Sequence, residues 1–300
     1  MVMKQTGAES WRGLYPFKSN YLYLPAEGQR LHYVDEGPAP GAPQGEPILC
    51  VHGNPTWSFF YRALVQHFKD KHRVVVPDHL GMGLSDKPQD YDYTLENHIF
   101  NLETLVDKLG LPPFTLVVHD WGGPIGLGYA VRHPERIKRV MIMNTAAFRS
   151  KRMPWTIRLA RVPFLGALLV RGFNAFVRGA LRVCASNPLS PAVRAGYLAP
   201  YDSWAHRVAV LRFVCDVPLS PSHPSYKTLV EVEQGLLRLS RAPKMLVWGA
   251  QDHVFGRDFL ARWQSIYPDA EARSIETANH YLLEDAPQVV IQALEELLER

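Results

Sequence analysis

Short apolar runs rich in β-branched residues return along this 300-residue chain with helical-length segments between them, at residues 48–51, 74–76, 115–118 and 140–143. A strand buried on both faces reads as a continuous apolar run, and strand–helix–strand at this spacing calls for a mostly parallel sheet with helices on each side. The rhythm resumes at residues 244–248 and 271–275 and closes on a helical pattern over residues 287–298. Two amphipathic strands are expected ahead of it, at residues 21–24 and 30–36, and a turn-rich stretch follows them over residues 37–47. The expected fold class is therefore α/β, a doubly wound sheet.

The rhythm breaks once. Residues 149–242 are rich in arginine, leucine and proline and read as several helices. An insertion between two strands of a parallel sheet is expected to stand over the C-terminal strand ends, where open α/β sheets place their sites. This divides the chain into a first core part (residues 1–148), a helical cap (149–242) and a second core part (243–300). Charge divides in a similar way. Residues 151–212 carry ten lysines and arginines against one acid, Asp202, whereas the whole chain is only +4. A solvated cap surface accounts for this balance; a membrane surface or an acidic partner also suits it.

The apolar fraction of 47 % and charged fraction of 21 % are those of a soluble globular chain. Residues 1–10 have neither the apolar core nor the small-residue cleavage site of a signal peptide, so a cytoplasmic protein is expected, with peripheral contact at the inner membrane as the variant. The longest apolar run, residues 162–170, is about half the ~18 residues a bilayer requires. Cys50, Cys184 and Cys215 form no Cys-x-x-Cys pattern, which argues against a disulfide framework or zinc ribbon and for buried thiols. No His-Glu-x-x-His spacing occurs among twelve histidines, and no metal or other cofactor is expected. Gly81-Met82-Gly83 fails as a dinucleotide fingerprint because Asp86 stands where the third glycine belongs. No nucleic-acid partner is expected either.

The chemistry gathers at three strand ends. Val117-Val118-His119-Asp120-Trp121-Gly122-Gly123 joins a buried strand to a Gly-rich helix, the context of a nucleophile elbow, with Asp120 in the nucleophile's place. Val118 departs from the glycine usual two residues before the nucleophile. An aspartate here could serve only as a helix cap, but a cap needs none of the partners that follow. His52-Gly53-Asn54-Pro55 follows the strand ending at Val51 and is expected to bring a backbone N–H to the site, with the Asn54 amide and the Trp121 indole as further donors. Ala278-Asn279-His280-Tyr281 follows the last strand, and Asp252 the one before it, giving the order nucleophile, acid, histidine. Asn144 occupies the other position open to an acid and is uncharged, which leaves Asp252 to orient His280.

These residues resemble the haloalkane dehalogenase superfamily, and the resemblance covers essentially the whole chain. It implies an α/β-hydrolase fold with an eight-stranded, mostly parallel sheet and an inserted helical cap. It implies Asp120 as nucleophile, His280 as base, Asp252 as orienting acid, and Asn54 with Trp121 as the cradle for an anionic leaving group. Asn144-Thr145-Ala146-Ala147-Phe148, Phe173-Asn174-Ala175-Phe176, Pro200-Tyr201-Asp202-Ser203-Trp204, Asp216-Val217-Pro218-Leu219-Ser220-Pro221 and residues 279–285 are similar to the β-lactone decarboxylases of bacterial long-chain olefin biosynthesis. That resemblance implies decarboxylation of a long-chain cis-3-alkyl-4-alkyloxetan-2-one to a cis-alkene and CO2, and a complex with the upstream enzymes of olefin synthesis. Hydrolysis of haloalkanes is the alternative. An epoxide hydrolase using Tyr197, Tyr201 or Tyr226 as acids, a fluoroacetate dehalogenase and an inactive scaffold are weaker ones.

Overall fold

The structure, a computed structural model, describes residues 11–24, 28–42 and 44–300. Residues 1–10, on which the leader expectation rests, lie outside the described residues.

Eight strands form one sheet in the order β1-β2-β4-β3-β5-β6-β7-β8. They are β1 (Asn20–Tyr23), β2 (Arg30–Glu36), β3 (Gly45–Val51), β4 (His72–Pro77), β5 (Phe114–His119), β6 (Ile137–Met143), β7 (Lys244–Gly249) and β8 (Glu271–Ile275). Pairing is antiparallel from β1 to β2 and from β2 to β4, and parallel across the rest. Successive side chains point to opposite faces, and the core divides accordingly. Leu49, Val51, Val75, Leu116, Val118 and Ile142 pack in one apolar cluster; Ile48, Cys50, Val74, Val76, Val117 and Met141 pack in the other.

Several strands begin earlier than their apolar runs. β3 starts at Gly45 and β6 at Ile137, because the first residues of these strands include polar side chains that pair with one another at the N-terminal ends of the parallel strands. Glu46 accepts from Thr115 Oγ1 and Arg139, a network that satisfies charge where apolar packing ends.

In the core, α1 (Arg62–Phe68), α2 (Leu95–Leu109) and α3 (Gly122–Arg132) cover the sheet. The Thr94 hydroxyl caps α2 by accepting from Asn97 N, and Gly110 ends it with a left-handed φ of 56°. Between β6 and β7 lie α4 (Trp155–Ala160), α5 (Ala175–Val183), α6 (Pro191–Leu198), α7 (Val208–Cys215) and α8 (Tyr226–Gly235). The last of these, α8, packs on α2 and α3. After β7 come α9 (Arg257–Ile266) and, beyond β8, α10 (Pro287–Leu298). Among the described residues no helix is long and apolar enough to cross a membrane. Cys50 and Cys184 are buried as expected, but Cys215 is only half-buried, at the end of α7.

Candidate active site

β5 ends at His119, and the next residue turns back into α3 with a φ of 50° at Asp120. Non-glycine residues seldom adopt this region. Here the turn is held from all sides: Asp120 N donates to Asn144 O (3.2 Å), while Asp120 O accepts from Gly123 N (2.9 Å) and from Thr145 Oγ1. The steric relief that Val118 does not provide comes from the facing loop. A Cβ on Gly53 would overlap Asp120 Oδ1, and one on Gly122 would overlap the Val51 carbonyl. The strand-to-helix turn therefore depends on glycines on both sides of it.

The side chain this turn presents is buried, 9 % exposed. Asn54 N donates to its Oδ1 at 2.6 Å, and Trp121 N–H also bonds the carboxylate. Burial pushes the Asp120 carboxyl above its ordinary value, against the opposing pull of His280 and these two N–H groups. Its Oδ2 lies 3.7 Å from His280 Nε2.

His280 follows β8 and donates Nδ1–H to Asp252 Oδ2 at 2.8 Å, which leaves Nε2 as the basic nitrogen facing Asp120. Burial alone would lower His280; the Asp252 and Asp120 carboxylates outweigh it and hold the imidazole above its ordinary value. Asp252 is itself buried yet held below the usual carboxylate range, because His280 and the N–H groups of Val254 (2.7 Å) and Phe255 (3.1 Å) favour its anion. The five residues expected at the site are thus brought to one place: Asn54, Asp120, Trp121 and His280 line a single cavity, with Asp252 behind the histidine.

The structure adds residues whose part the sequence reading did not assign. Asn144 donates from Nδ2 to Asp252 Oδ2 at 2.8 Å and to Gly249 O at 3.2 Å, while its Oδ1 accepts from Gly249 N at 2.7 Å. The sequence marks it only as an acid position left uncharged, yet in the structure it holds Asp252 in place. Its signal was the place itself, a polar residue at the carboxyl end of a central strand. His119 stacks on Phe60 (4.5 Å between centroids) and bonds the His280 carbonyl through Nε2 at 2.9 Å. Burial keeps it neutral at ordinary pH.

Asn54 differs from expectation in one respect. Its amide Nδ2 donates to Val210 O at 3.1 Å, so α7 engages one of its two N–H bonds, and its buried Oδ1 has no partner among the described residues. The Val210 carbonyl fixes this orientation, since a turned amide would set two oxygens together. Among the described residues no protein acceptor meets the other Asn54 amide hydrogen or Trp121 Nε1. Trp121 stands edge-on to Phe213 of α7, 5.3 Å between centroids.

The cavity has an empty volume of about 1100 Å3, including its open mouth. Apart from the polar groups above, its walls are mainly apolar: Leu95, Pro124 and Leu229 from the core helices and α8, and Ile157, Phe176 and Val214 from the other inserted helices. Phe255 lies nearly parallel to the His280 ring at 5.8 Å. Tyr197, Tyr201 and Tyr226 are absent from the walls; Tyr197 bonds Glu284 at 2.5 Å and Tyr201 reaches Thr56 O at 3.4 Å. None of the three tyrosines that an epoxide hydrolase could use as acids therefore lines the cavity, and two of them are held by bonds elsewhere.

Residues 46–287 match the alpha/beta hydrolase fold family. The chain is 47 % identical over 285 residues to the cis-3-alkyl-4-alkyloxetan-2-one decarboxylase of Shewanella oneidensis, covering 93 % of this chain and 87 % of that protein. It is 43 % identical over 284 residues to the protein of the same name from Xanthomonas campestris pv. campestris, covering 91 % and 93 %. Among solved structures it resembles the haloalkane dehalogenase DatA from Agrobacterium tumefaciens C58, with a TM-score of 0.81 at 27 % identity over 94 % of this chain and 97 % of that one.

Proposed function

The chain belongs to the alpha/beta hydrolase fold family and, within it, to the group of the cis-3-alkyl-4-alkyloxetan-2-one decarboxylases, and from that membership we propose that it converts such a β-lactone into a cis-alkene and CO2. One observation carries the mechanism: both backbone donors at the elbow are spent on the carboxylate of Asp120 itself. The Asn54 N–H holds Oδ1 and leaves Oδ2, the oxygen nearer His280 Nε2, as the attacking atom. A backbone oxyanion hole for a tetrahedral carbonyl adduct is then not on offer, which favours attack at the ring carbon that bears oxygen.

In that step Asp120 Oδ2 forms a bond to the ring carbon with inversion, and the C–O electron pair leaves as a carboxylate. The Asn54 amide and Trp121 indole donate to this developing anion. The ester now stands anti to the new carboxylate. Cleavage of the carbon–carboxylate bond supplies the pair for the new double bond, CO2 departs, and the C–O pair returns to Asp120. Inversion followed by anti elimination gives the cis-alkene from the cis ring. Neither a water nor a proton is consumed. The reading carries with it a role in long-chain olefin synthesis, contact with the enzymes that supply the lactone, and residues 149–242 as the substrate-enclosing cap.

A second reading, haloalkane hydrolysis, is favoured by the complete Asp252–His280 pair beside Asp120. An alkyl ester on Asp120 that holds no carboxylate can be released only by water, and His280 would activate it. His280→Ala separates the two. Wild type and variant are given a synthetic cis-lactone, with alkene release followed over many turnovers, and a bromoalkane, with mass spectrometry of the intact protein. Ring-carbon attack is supported by continued alkene release together with a trapped alkyl ester from the bromoalkane. Loss of alkene release in a folded variant that still binds lactone would overturn it in favour of carbonyl attack.

A further inference from the structure

The segment carrying α4 combines three faces that a merely solvated surface does not need. Its inner face closes the cavity through Met153, Pro154 and Ile157. Its outer face is apolar: Trp155 is 74 % exposed, and Leu159 and Val162 continue its stripe at i+4 and i+7. Phe164, 92 % exposed, extends this surface from a φ of 61°, a region bulky residues rarely adopt. Leu168 and Phe173 are exposed a little further on. The third face is basic. Lys151, Arg158 and Arg161 line one depression with Leu219, and Arg161 is pinned there by the carbonyls of Val214 (3.0 Å) and Val217 (2.8 Å). Among the described residues no carboxylate pairs with Lys151 or Arg158. Ser150 and Arg152, which line the cavity, also reach solvent beside this segment, so the cavity opens there.

We propose that the outer face of the α4 segment docks on an anionic lipid bilayer, with Trp155 and Phe164 entering the interface and Lys151, Arg158 and Arg161 meeting lipid phosphates. Apolar and aromatic side chains flanked by cations are the composition of an interfacial segment. The ten-to-one excess of basic residues over residues 151–212 supplies the long-range attraction. Docking in this pose sets the mouth of an apolar cavity against the phase where a dialkyl ligand dissolves. That last advantage rests on the lactone reading; attraction to the bilayer does not.

Flotation of the full chain with vesicles tests it. Wild type is expected to float with phosphatidylcholine–phosphatidylglycerol vesicles at low salt, far less with phosphatidylcholine alone, and to be released as salt rises. Lys151→Gln/Arg158→Gln is expected to lower partitioning on the order of tenfold, and Trp155→Ala/Phe164→Ala to lower it independently of charge. Both variants should keep the wild-type melting curve and turnover of a short, water-soluble lactone. No flotation of wild type with the mixed vesicles overturns the proposal, as does unchanged flotation of either folded variant. Binding to polyglutamate without binding to vesicles overturns it in favour of an acidic polypeptide. If no lactone is turned over while flotation behaves as expected, the catalytic reading fails and the docking surface stands.

Discussion

A carboxylate serves as nucleophile only if it is deprotonated, aimed and free of water, and at Asp120 these demands conflict. Burial that excludes water also pushes the carboxyl above its ordinary value, and the N–H groups of Asn54 and Trp121 oppose that rise, the Asn54 N–H while fixing Oδ1. Asp120→Asn keeps the shape and removes the negative charge, so lactone turnover is expected to vanish; wild-type-like consumption by a variant shown by mass spectrometry not to have deamidated would reject Asp120 as nucleophile. The pH dependence separates the two acid–base roles. On the proposed mechanism alkene formation needs ionised Asp120, so it should be present at high pH and lost as pH falls through a value above the ordinary aspartate range. Hydrolysis of a bromoalkane adduct needs neutral His280, and Asp252 helps hold that imidazole above its ordinary value. Hydrolysis should therefore be lost at a higher pH than alkene formation when decay of the preformed alkyl ester, and kcat/KM for the lactone, are each followed downward in pH. Coincident acid limbs would mean that one group governs both.

At the scale of the element, the elbow is a packing problem solved by two loops together. A methyl on Gly53 would overlap the Asp120 carboxylate, although Gly53 belongs to the loop after β3 and not to the elbow. Gly53→Ala is expected to cost about 1–3 kcal/mol by overpacking, and to reduce turnover by displacing the Asp120 carboxylate; denaturant melts and lactone assays measure both, and an unaffected variant would show that the loop yields. Asp120, Asp252 and His280 were legible because each follows a recognisable strand, and their order along the chain is itself a constraint. Asn144 was not legible in its role: its grip on Asp252 depends on β6 and β7 lying side by side, with Met143 opposite Val247. Strand neighbours are not written in an apolar pattern. The same holds for Asp78, a fully buried carboxylate kept below the usual range despite burial by His32 at 2.8 Å and the N–H groups of Ser58 and Leu84. Its partners come from three separate stretches of chain. The strands' polar first residues were missed for a related reason, since Glu46 finds Arg139 only after β5 has come between β3 and β6.

Across the whole molecule, the segment that carries His280 is also the segment that holds the inserted helices. Asn279 Nδ2 donates to Val183 O at 3.0 Å, Tyr281 N to Cys184 O at 2.6 Å, and Ser186 N to Asp285 Oδ1 at 2.8 Å. Glu284 completes the junction: it takes two bonds from Arg62 of α1, at 2.6 and 2.7 Å, and one from Tyr197 of α6 at 2.5 Å. One carboxylate with a 6 % exposed side chain thus joins the core, the segment that carries His280 and the inserted helices. Glu284→Gln keeps the volume but leaves the Arg62 cation without its counter-charge. Breaking a buried pair in this way costs about 3–5 kcal/mol. The melting midpoint should fall by several degrees. If the junction is what seats these helices, amides of residues 183–198 should exchange faster than those of β5 and β6, because the loss is local to the contact that was cut. Uniform acceleration across the sheet and the inserted helices alike would instead mean that Glu284 stabilises the fold as a whole, and that the seating of α6 on the core has another cause.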